Sequence, residues 1–299
     1  MRAERPRQEA LFAAALAGLA TTAGGVLGGS LAGAAGAAAG LLAGGLAGYA
    51  MNERGKRRWT LRREALARPF PRDWRGFLRR RYDHYRRLPD AWRDWFDDDV
   101  RVFLAETRMT GVGIALDDEL RLLVAASAVT LSLAWRDFDW EAVAEVLLYP
   151  QSFDRDYSLG GELIGLTNSW GTVILSVPSL LESFANPGDG HHVGIHEFTH
   201  LLQLDQARFD TRAVGLPAPR GEGWAALRDR EMERLRGGRS VLDPYASHEP
   251  TEFLPVAVET FFERPLAMRE SHAELYDLLR RYFGQDPAAW DELRGRATA

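Results

Sequence analysis

Apolar side chains recur at intervals of three and four residues over most of the chain after residue 59. This spacing is typical of amphipathic helices. It predicts a helix from about Val193 and others over Trp74–Leu88, Trp92–Leu104, Glu222–Arg236, Thr251–Glu263, His272–Tyr282 and Pro287–Leu293. Leu120–Trp135 is apolar nearly all round, which predicts a buried helix. Short apolar runs predict a strand at Val146–Tyr149 and a hairpin of Glu162–Thr167 with Gly171–Ser176. The predicted fold class is α+β, mostly helical, with a small sheet.

A different pattern precedes residue 59. Ala10–Asn52 is a run of 43 residues without charge, rich in Ala, Gly and Leu. Its length is about twice the roughly 20 residues that cross a bilayer as a helix. Glycine recurs every fourth position, so one helix face is flat enough for close packing in lipid. With Gly28-Gly29-Ser30 as the turn, the segment predicts a helical hairpin in the membrane.

Arginine and lysine flank this apolar run on both sides, which places both ends in the cytoplasm by the positive-inside rule. We therefore expect the inner membrane as the location, with the rest of the chain in the cytoplasm. A secretory signal at Leu11–Ala20, or a glycine-rich tail that stays in solution, are the alternatives. The basic stretch Arg54–Arg81 could lie on anionic lipid headgroups or form a solvated helix face. Trp59 begins a new composition, so we expect two domains, 1–58 and 59–299.

The amino-acid composition excludes several kinds of active site and binding partner. The chain has 299 residues and no cysteine, which excludes disulfides, thiolate catalysis and cysteine-bound metals. The net charge is −5, but Arg54–Arg81 carries about +10 and the residues after it about −15. Because phosphate backbones repel a strongly negative surface, we expect no nucleic-acid partner. A metal, if bound, must be held by His, Asp or Glu.

His196-Glu197-Phe198-Thr199-His200 is the most informative stretch for function. On a helix, positions i and i+4 share one face, so two neutral imidazoles can converge on one cation. Glu197 lies about 100° round the helix and can take a proton from water beside the metal. His191 and His192, just before this helix, are expected to be exposed loop residues.

A catalytic zinc site needs a third protein ligand and an open fourth position. The candidates downstream of the motif are Asp205, His248, Glu249, Glu252 and Glu259. Spacing alone does not choose among them.

Further motifs in the sequence indicate a resemblance to a known protein family. Asp243-Pro244-Tyr245-Ala246, Glu252–Val256 and Phe261–Glu263 follow the His-Glu helix in that order, and a tail runs from Leu275-Tyr276 to Asp286-Pro287. With these motifs the chain resembles the Mlc titration factor A (MtfA) family of zinc peptidases, over roughly Trp59–Leu293. The resemblance implies a zincin-like domain of the gluzincin type, as in the related lethal-factor peptidases.

The resemblance also implies roles for individual residues. His196, His200 and Glu252 would hold one Zn²⁺ per chain, Glu197 would be the general base, and Tyr245 would direct its phenol to the developing oxyanion. Glu259 lies seven residues after Glu252 on the same helix face and is expected to orient a ligand histidine. By analogy with zincins, the strand Gly171–Ser176 is expected to align the substrate backbone at the sheet edge.

Two departures from the family pattern affect the site. Pro255 replaces an alanine in the helix that carries Glu252, so the helix is expected to begin near Thr251 or to kink. Gln203 replaces an acid three residues after His200, and its contact to the histidine is expected to be lost or to move to Asp205.

Together these features predict a zinc metallopeptidase that acts on a peptide or protein substrate. The alternative is a regulatory protein that binds a transcriptional repressor or another partner, with the zinc site of secondary importance. Glu197 discriminates between them, because a purely structural zinc site needs no base.

Overall fold

The computed structural model describes residues 6–135, 138–208 and 222–298. The chain divides into two units, Met1–Pro69 and Phe70–Ala299. The first unit contains the long helix α1, Pro6–Ala67. The predicted boundary at residue 58 stays a prediction.

Helix α1 reverses its direction at Gly33, which has a φ of +63°. A Cβ added at Gly25 would lie 2.8 Å from Leu41 Cδ2, and one added at Gly29 would lie 3.4 Å from Ala37 Cβ. In a straight helix, residues 16 apart are about 24 Å apart, so the two arms must lie side by side. Glycine is the residue that adopts a positive φ without steric penalty. The reversal therefore lies three residues after the expected turn Gly28-Gly29-Ser30.

Among the described residues, the first unit has one apolar helical window that is long enough to cross a membrane, Gly33–Ala50. Large apolar side chains in this window face outward, since Leu42 and Leu46 each expose 70% of their surface, and Leu31, just before the window, exposes 85%. A buried core helix of a soluble protein or a signal sequence has the same length and composition. Insertion into a membrane stays a prediction.

The second unit is mostly helical with a small mixed sheet. Its helices are α2 Arg72–Arg81, α3 Asp83–Arg87, α4 Asp90–Glu106, α5 Asp118–Ser132, α6 Val177–Ala185, α7 Val193–Arg208, α8 Glu222–Arg236, α9 Phe253–Glu263, α10 Pro265–Ser271, α11 Ala273–Phe283 and α12 Pro287–Thr298, with a 3₁₀ helix at Pro244–Ser247. Its strands are β1 Met109–Gly111, β2 Glu145–Tyr149, β3 Gly165–Thr167 and β4 Thr172–Ser176.

The helix predicted over Trp74–Leu88 is wrong in one respect, because it is two helices, α2 and α3. Tyr82 separates them with an extended backbone (φ −120°, ψ 108°). Its ring is buried, and its hydroxyl lies 2.6 Å from Thr130 Oγ1 on α5. This tertiary contact, which local spacing cannot reveal, holds the break. Strand β1 and helix α6 were not predicted.

The sheet has the order β1-β2-β4-β3. Strands β1, β2 and β4 run parallel, while β3 pairs antiparallel with β4, as the predicted hairpin requires. On β4, Val173 and Leu175 enter the main core, and Ile174 joins a smaller cluster on the opposite face, following the two-residue period of a strand. The expectation that Gly171–Ser176 forms the edge is wrong, because β4 is paired on both sides; β3 is the edge strand.

Two buried helices meet beside the sheet and carry the site. Every residue of α9 is buried. Helix α7 approaches α5 closely at Gly194, where an added Cβ would lie 2.2 Å from Ser127 Oγ. A side chain at position 194 would therefore push α7 away from α5.

Candidate metal centre

Helix α7 positions the two histidines. Val193, Ile195, Phe198, Leu201 and Leu202 are buried along one side of the helix and fix its rotation against the core. His196 and His200 lie on the other side, with 13% and 19% of their side chains exposed. Their Nε2 atoms are 3.2 Å apart. The core thus directs both rings to the same point at the margin of the domain.

A second segment brings a carboxylate to that point. Asp243 caps the 3₁₀ helix by accepting a hydrogen bond from the Tyr245 backbone N–H at 2.7 Å. Glu252 is the residue that immediately precedes α9, and Pro255 lies in the first turn of α9. In a first turn the backbone N–H groups have no partner within the helix, so the proline removes no helical hydrogen bond. The helix runs without a break from Phe253 to Glu263, so it begins at Phe253 rather than at Thr251.

The three candidate ligand atoms form a nearly equilateral triangle. Glu252 Oε2 lies 3.0 Å from His196 Nε2 and 3.3 Å from His200 Nε2, and the two nitrogens are 3.2 Å apart. Ligands about 2.0–2.1 Å from a tetrahedral zinc ion are about 3.3 Å from one another. Among the residues that the structure describes, these three form the one group that could hold a metal ion.

The hydrogen bonds behind the rings fix the tautomers. His196 Nδ1 lies 3.1 Å from Glu259 Oε1, and His200 Nδ1 lies 3.1 Å from Gln203 Oε1. The Gln203 amide is oriented because its Nε2 donates to the Thr251 carbonyl at 3.3 Å. Both partners are acceptors, so both neutral rings carry their proton on Nδ1 and a lone pair on Nε2. Three lone pairs therefore converge on one point, and only a cation satisfies them together.

Electrostatics favour positive charge at this point. Burial opposes charging of His196, but hydrogen bonds to Glu252 and Glu259 outweigh it and raise the pKa of His196 to about 10. Burial alone would raise the pKa of Glu252, yet its contacts with His196 and His200 lower it to about 2. In the metal-free protein a proton on His196 takes the place that a metal would occupy.

Glu197 lies beside this triangle. It is 5% exposed, and its carboxylate Oε2 accepts a hydrogen bond from Thr167 Oγ1 at 2.8 Å. Burial raises the pKa of Glu197, although the neighbouring histidines and Thr167 oppose the shift. A buried carboxylate of raised pKa is suited to accept and return a proton.

Tyr245 borders the same region from the 3₁₀ helix. Its ring centroid is 6.2 Å from that of His196, and half of its surface is exposed. The His248 ring stacks on Tyr245 with the ring centroids 5.5 Å apart and an interplanar angle of 9°. Burial, followed by the nearby Glu252 and Glu197, raises the pKa of the Tyr245 phenol, which keeps it protonated and able to donate.

Other residues singled out from the sequence lie elsewhere. His192 is fully buried, so the expectation of an exposed loop histidine is wrong for it; Phe184 and Tyr82 pack around its ring. His191 is exposed, with its Nε2 3.3 Å from Asp243 Oδ2. Glu249 is also exposed. The side chain of Asp205 lies outside the described residues.

Three residues at the site were not predicted as contributors. Gln203 keeps the histidine contact that its exchange for an acid was expected to remove, because an amide oxygen accepts from Nδ1–H as a carboxylate does. The three-residue spacing from His200 was the available signal. Thr167 and Gly165 reach Glu197 from strand β3, about 30 residues earlier in the chain, and no local pattern indicates them.

Comparison with known proteins identifies a metallopeptidase family and several relatives. The model of a family described as glucose-regulated metallo-peptidase M90 matches residues 56–284. The uncharacterized protein slr2042 of Synechocystis is 28% identical over 250 residues, which cover 75% of this chain and 88% of that protein. Mlc titration factor A of Escherichia fergusonii is 28% identical over 211 residues, with 62% and 76% covered. The same-named protein of Pectobacterium atrosepticum is 28% identical over 163 residues, with 48% and 60% covered.

Proposed function

Because the chain belongs to the Mlc titration factor A family of M90 metallopeptidases, we propose that it is a zinc-dependent peptidase of the gluzincin type, with a zincin-like fold. The observation that supports this most directly is the convergence of His196 Nε2, His200 Nε2 and Glu252 Oε2 at 3.0–3.3 Å, with both Nδ1 atoms engaged behind them. These residues would hold one zinc ion. A bound zinc ion would supply Lewis acidity toward a carbonyl oxygen and toward water.

The residues of the chain then have distinct roles. Glu197 accepts a proton from the attacking water and delivers it to the leaving amine, since it is buried beside the ligands and is not one of them. Tyr245 donates a hydrogen bond to the carbonyl oxygen as negative charge develops there. Glu259 and Gln203 orient the two histidines from behind.

Strand β3 supplies the substrate-aligning edge. It is one of the two terminal strands of the described sheet, and unlike β1 it adjoins Glu197, through Thr167. A peptide added in extended form along this edge would present its carbonyl groups to the site.

The decisive experiment compares the wild-type protein with Glu197→Gln in zinc content and in cleavage of a peptide library. We expect about one zinc per chain in both proteins, and a loss of turnover by roughly 10²–10⁴ in the variant. Glu182→Gln makes the same change at an exposed glutamate on α6 and serves as the matched control. Unchanged turnover in Glu197→Gln would remove the proposed base.

The relatives' name, Mlc titration factor A, indicates a protein partner for those proteins. Capture of a repressor or another protein is the corresponding alternative for this chain. It predicts that Glu197→Gln leaves partner binding and the biological effect intact. The same variant therefore discriminates between the enzyme and the binding protein.

We also propose that the first unit attaches the protein to the inner membrane, with residues 10–52 as the hairpin and the peptidase domain in the cytoplasm. The outward-facing leucines and the basic flanks support this arrangement. Tags at both termini should be accessible only from the cytoplasm. Recovery of the full chain in the soluble fraction would contradict it.

A further inference from the structure

Strand β3, which lies outside the sequence motif of the proposed base Glu197, contacts the side chain of that residue. Thr167 on edge strand β3 lies with its Oγ1 2.8 Å from Glu197 Oε2 and 2.9 Å from the Glu197 backbone oxygen. One hydroxyl therefore contacts both the carboxylate and the main chain of the same residue. Because Glu197 is 5% exposed, solvent contributes little to fixing its side chain.

Gly165 borders the same carboxylate two residues earlier. A Cβ at this position would lie 2.4 Å from Glu197 Oε1 and 2.8 Å from Cγ and Cδ. Such distances are well below van der Waals contact, so any side chain would displace the carboxylate. A strand has a two-residue period, and positions 165 and 167 therefore face the same side. Gly165 leaves space for Oε1 of Glu197, and Thr167 places a hydroxyl next to Oε2.

The register of the sheet makes this support rigid. Gly165 pairs with Leu175 and Thr167 pairs with Val173, both buried residues of β4. The position of the Thr167 hydroxyl is thus fixed by the core of the domain. A hydrogen bond from Thr167 holds Oε2, and the missing side chain at Gly165 leaves free the space that Oε1 occupies.

We propose that Thr167 and Gly165 are positioning residues that hold the Glu197 carboxylate in the orientation from which it acts as base. This inference rests on the proposed function of Glu197. The other role for Thr167 is a purely structural tie between β3 and α7 through the Glu197 backbone oxygen. The two roles differ in what removal of the hydroxyl changes.

The experiment is a double-mutant cycle on the full chain, with kcat, KM, zinc content and thermal unfolding measured for each protein. Thr167→Val keeps the shape of the side chain and removes the hydroxyl, whereas Thr167→Ser keeps the hydroxyl. Misplacement of a general base lowers turnover by roughly 10- to 100-fold. We expect such a loss of kcat in Thr167→Val, with KM and zinc content within about twofold of wild type, and recovery of most of the loss in Thr167→Ser.

Combination with Glu197→Gln tests whether Thr167 acts through the base. In that background Thr167→Val should lower the residual turnover by less than about twofold, because the group it positions is already absent. An equal loss in both backgrounds, or loss of zinc or of folding in Thr167→Val, would assign the threonine a structural role. Gly165→Ala should lower kcat while zinc is retained; wild-type kcat in it would remove Gly165 from the proposal.

The outcomes separate this inference from the proposed function. If wild-type protein cleaves peptides in a Glu197-dependent manner and Thr167→Val has wild-type kcat, the positioning role is wrong and the peptidase remains. If wild-type protein has no Glu197-dependent cleavage, the peptidase proposal fails, and the positioning role falls with it.

Discussion

His192 and His196 lie one helical turn apart at the start of α7, and both are largely shielded from solvent, yet they have opposite charge preferences. Aromatic rings surround His192, with the centroids of Phe184 and Tyr82 at 4.7 and 6.0 Å, and burial lowers the pKa of His192 to about 3. Carboxylates face His196 on both nitrogens, and they raise its pKa to about 10 although burial opposes the shift.

The difference shows that the carboxylates, rather than the histidines, create a cation site in this core. His84 behaves as His192 does. It is buried against Phe262 and Trp290, and burial holds the pKa of His84 well below its usual value. Neither nitrogen of His84, nor Nε2 of His192, has a hydrogen-bond partner among the described residues. Aromatic surroundings keep these two rings neutral, whereas Glu252 and Glu259 make His196 a receptor for positive charge.

The largest effect should follow removal of the carboxylate that touches both rings. Glu252→Ala should abolish stoichiometric zinc binding, since two imidazoles alone leave the triangle without its anionic corner. Glu259→Ala, the same change seven residues later within α9, removes only the contact behind His196 and should weaken zinc binding by roughly 10- to 100-fold. Zinc analysis and chelator competition measure both. The reverse order would move the third ligand to Glu259.

Tyr245 lies beside His196, and Tyr245→Phe tests whether its phenol donates a hydrogen bond to the developing oxyanion. It should lower kcat by roughly 10²–10³ with little change in KM, because the phenol contributes only as charge develops on the oxygen. Zinc content should be unchanged, as Tyr245 is not in the ligand triangle. The stacked neighbour offers a control: His248→Phe keeps a ring against Tyr245 and should retain most of the activity. A larger loss in His248→Phe than in Tyr245→Phe would transfer the role to the imidazole.

The opposed pKa shifts predict which histidine exchanges a proton with the metal. The pKa of His196 is raised above its unfolded value of about 6.5, so its proton stabilises the metal-free fold fully below pH 6.5 and is lost as pH rises toward 10. Lowering of the pKa of Glu252 to about 2 adds stability above pH 4.5 that is lost as pH falls toward 2.

Zinc binding near pH 8 should therefore release about one proton per chain from His196, and the release should vanish as pH approaches and passes 10. Calorimetric titrations in two buffers of different ionisation enthalpy measure this number directly. Zero release at pH 8 would mean that His196 is already neutral in the metal-free protein, and the contrast with His192 would disappear.

A contact in the site can be predicted from the sequence when its two residues are close together in the chain, and not when they are far apart. The pairing of His196 with His200 needs only helical spacing, and a helix is what the apolar pattern around them predicts. Glu252, 52 residues further on, was open among five candidates by spacing and was singled out only through family resemblance. Thr167 and Gly165 gave no signal, because a hydroxyl and a missing side chain matter only once β3 is packed against α7.

The same distinction explains the errors in the predicted fold. His192 looked like an exposed loop residue because it follows Gly190 and His191, but tertiary packing buries it between Phe184 and Tyr82. The three-residue strand β1 is too short for a recognisable alternation, and it exists through its pairing with β2. The turn of the apolar hairpin falls at Gly33 rather than at Gly28-Gly29-Ser30, and several glycines in this run satisfy the local requirement equally well.

The smallest effect should come from a change at His192, the histidine that aromatic rings surround. His192→Phe keeps a ring between Phe184 and Tyr82 and removes an Nε2 without a partner, which stabilises the core by about 1–3 kcal/mol. It also removes Nδ1, which accepts the Ile195 backbone N–H at 3.3 Å, and loss of such a cap costs about 1 kcal/mol. Because the two effects oppose each other, urea unfolding should show a net stabilisation of about 0–2 kcal/mol, with zinc content unchanged. Loss of zinc in His192→Phe would instead show that this neutral ring supports the metal centre through α7, and that the two histidines are not independent.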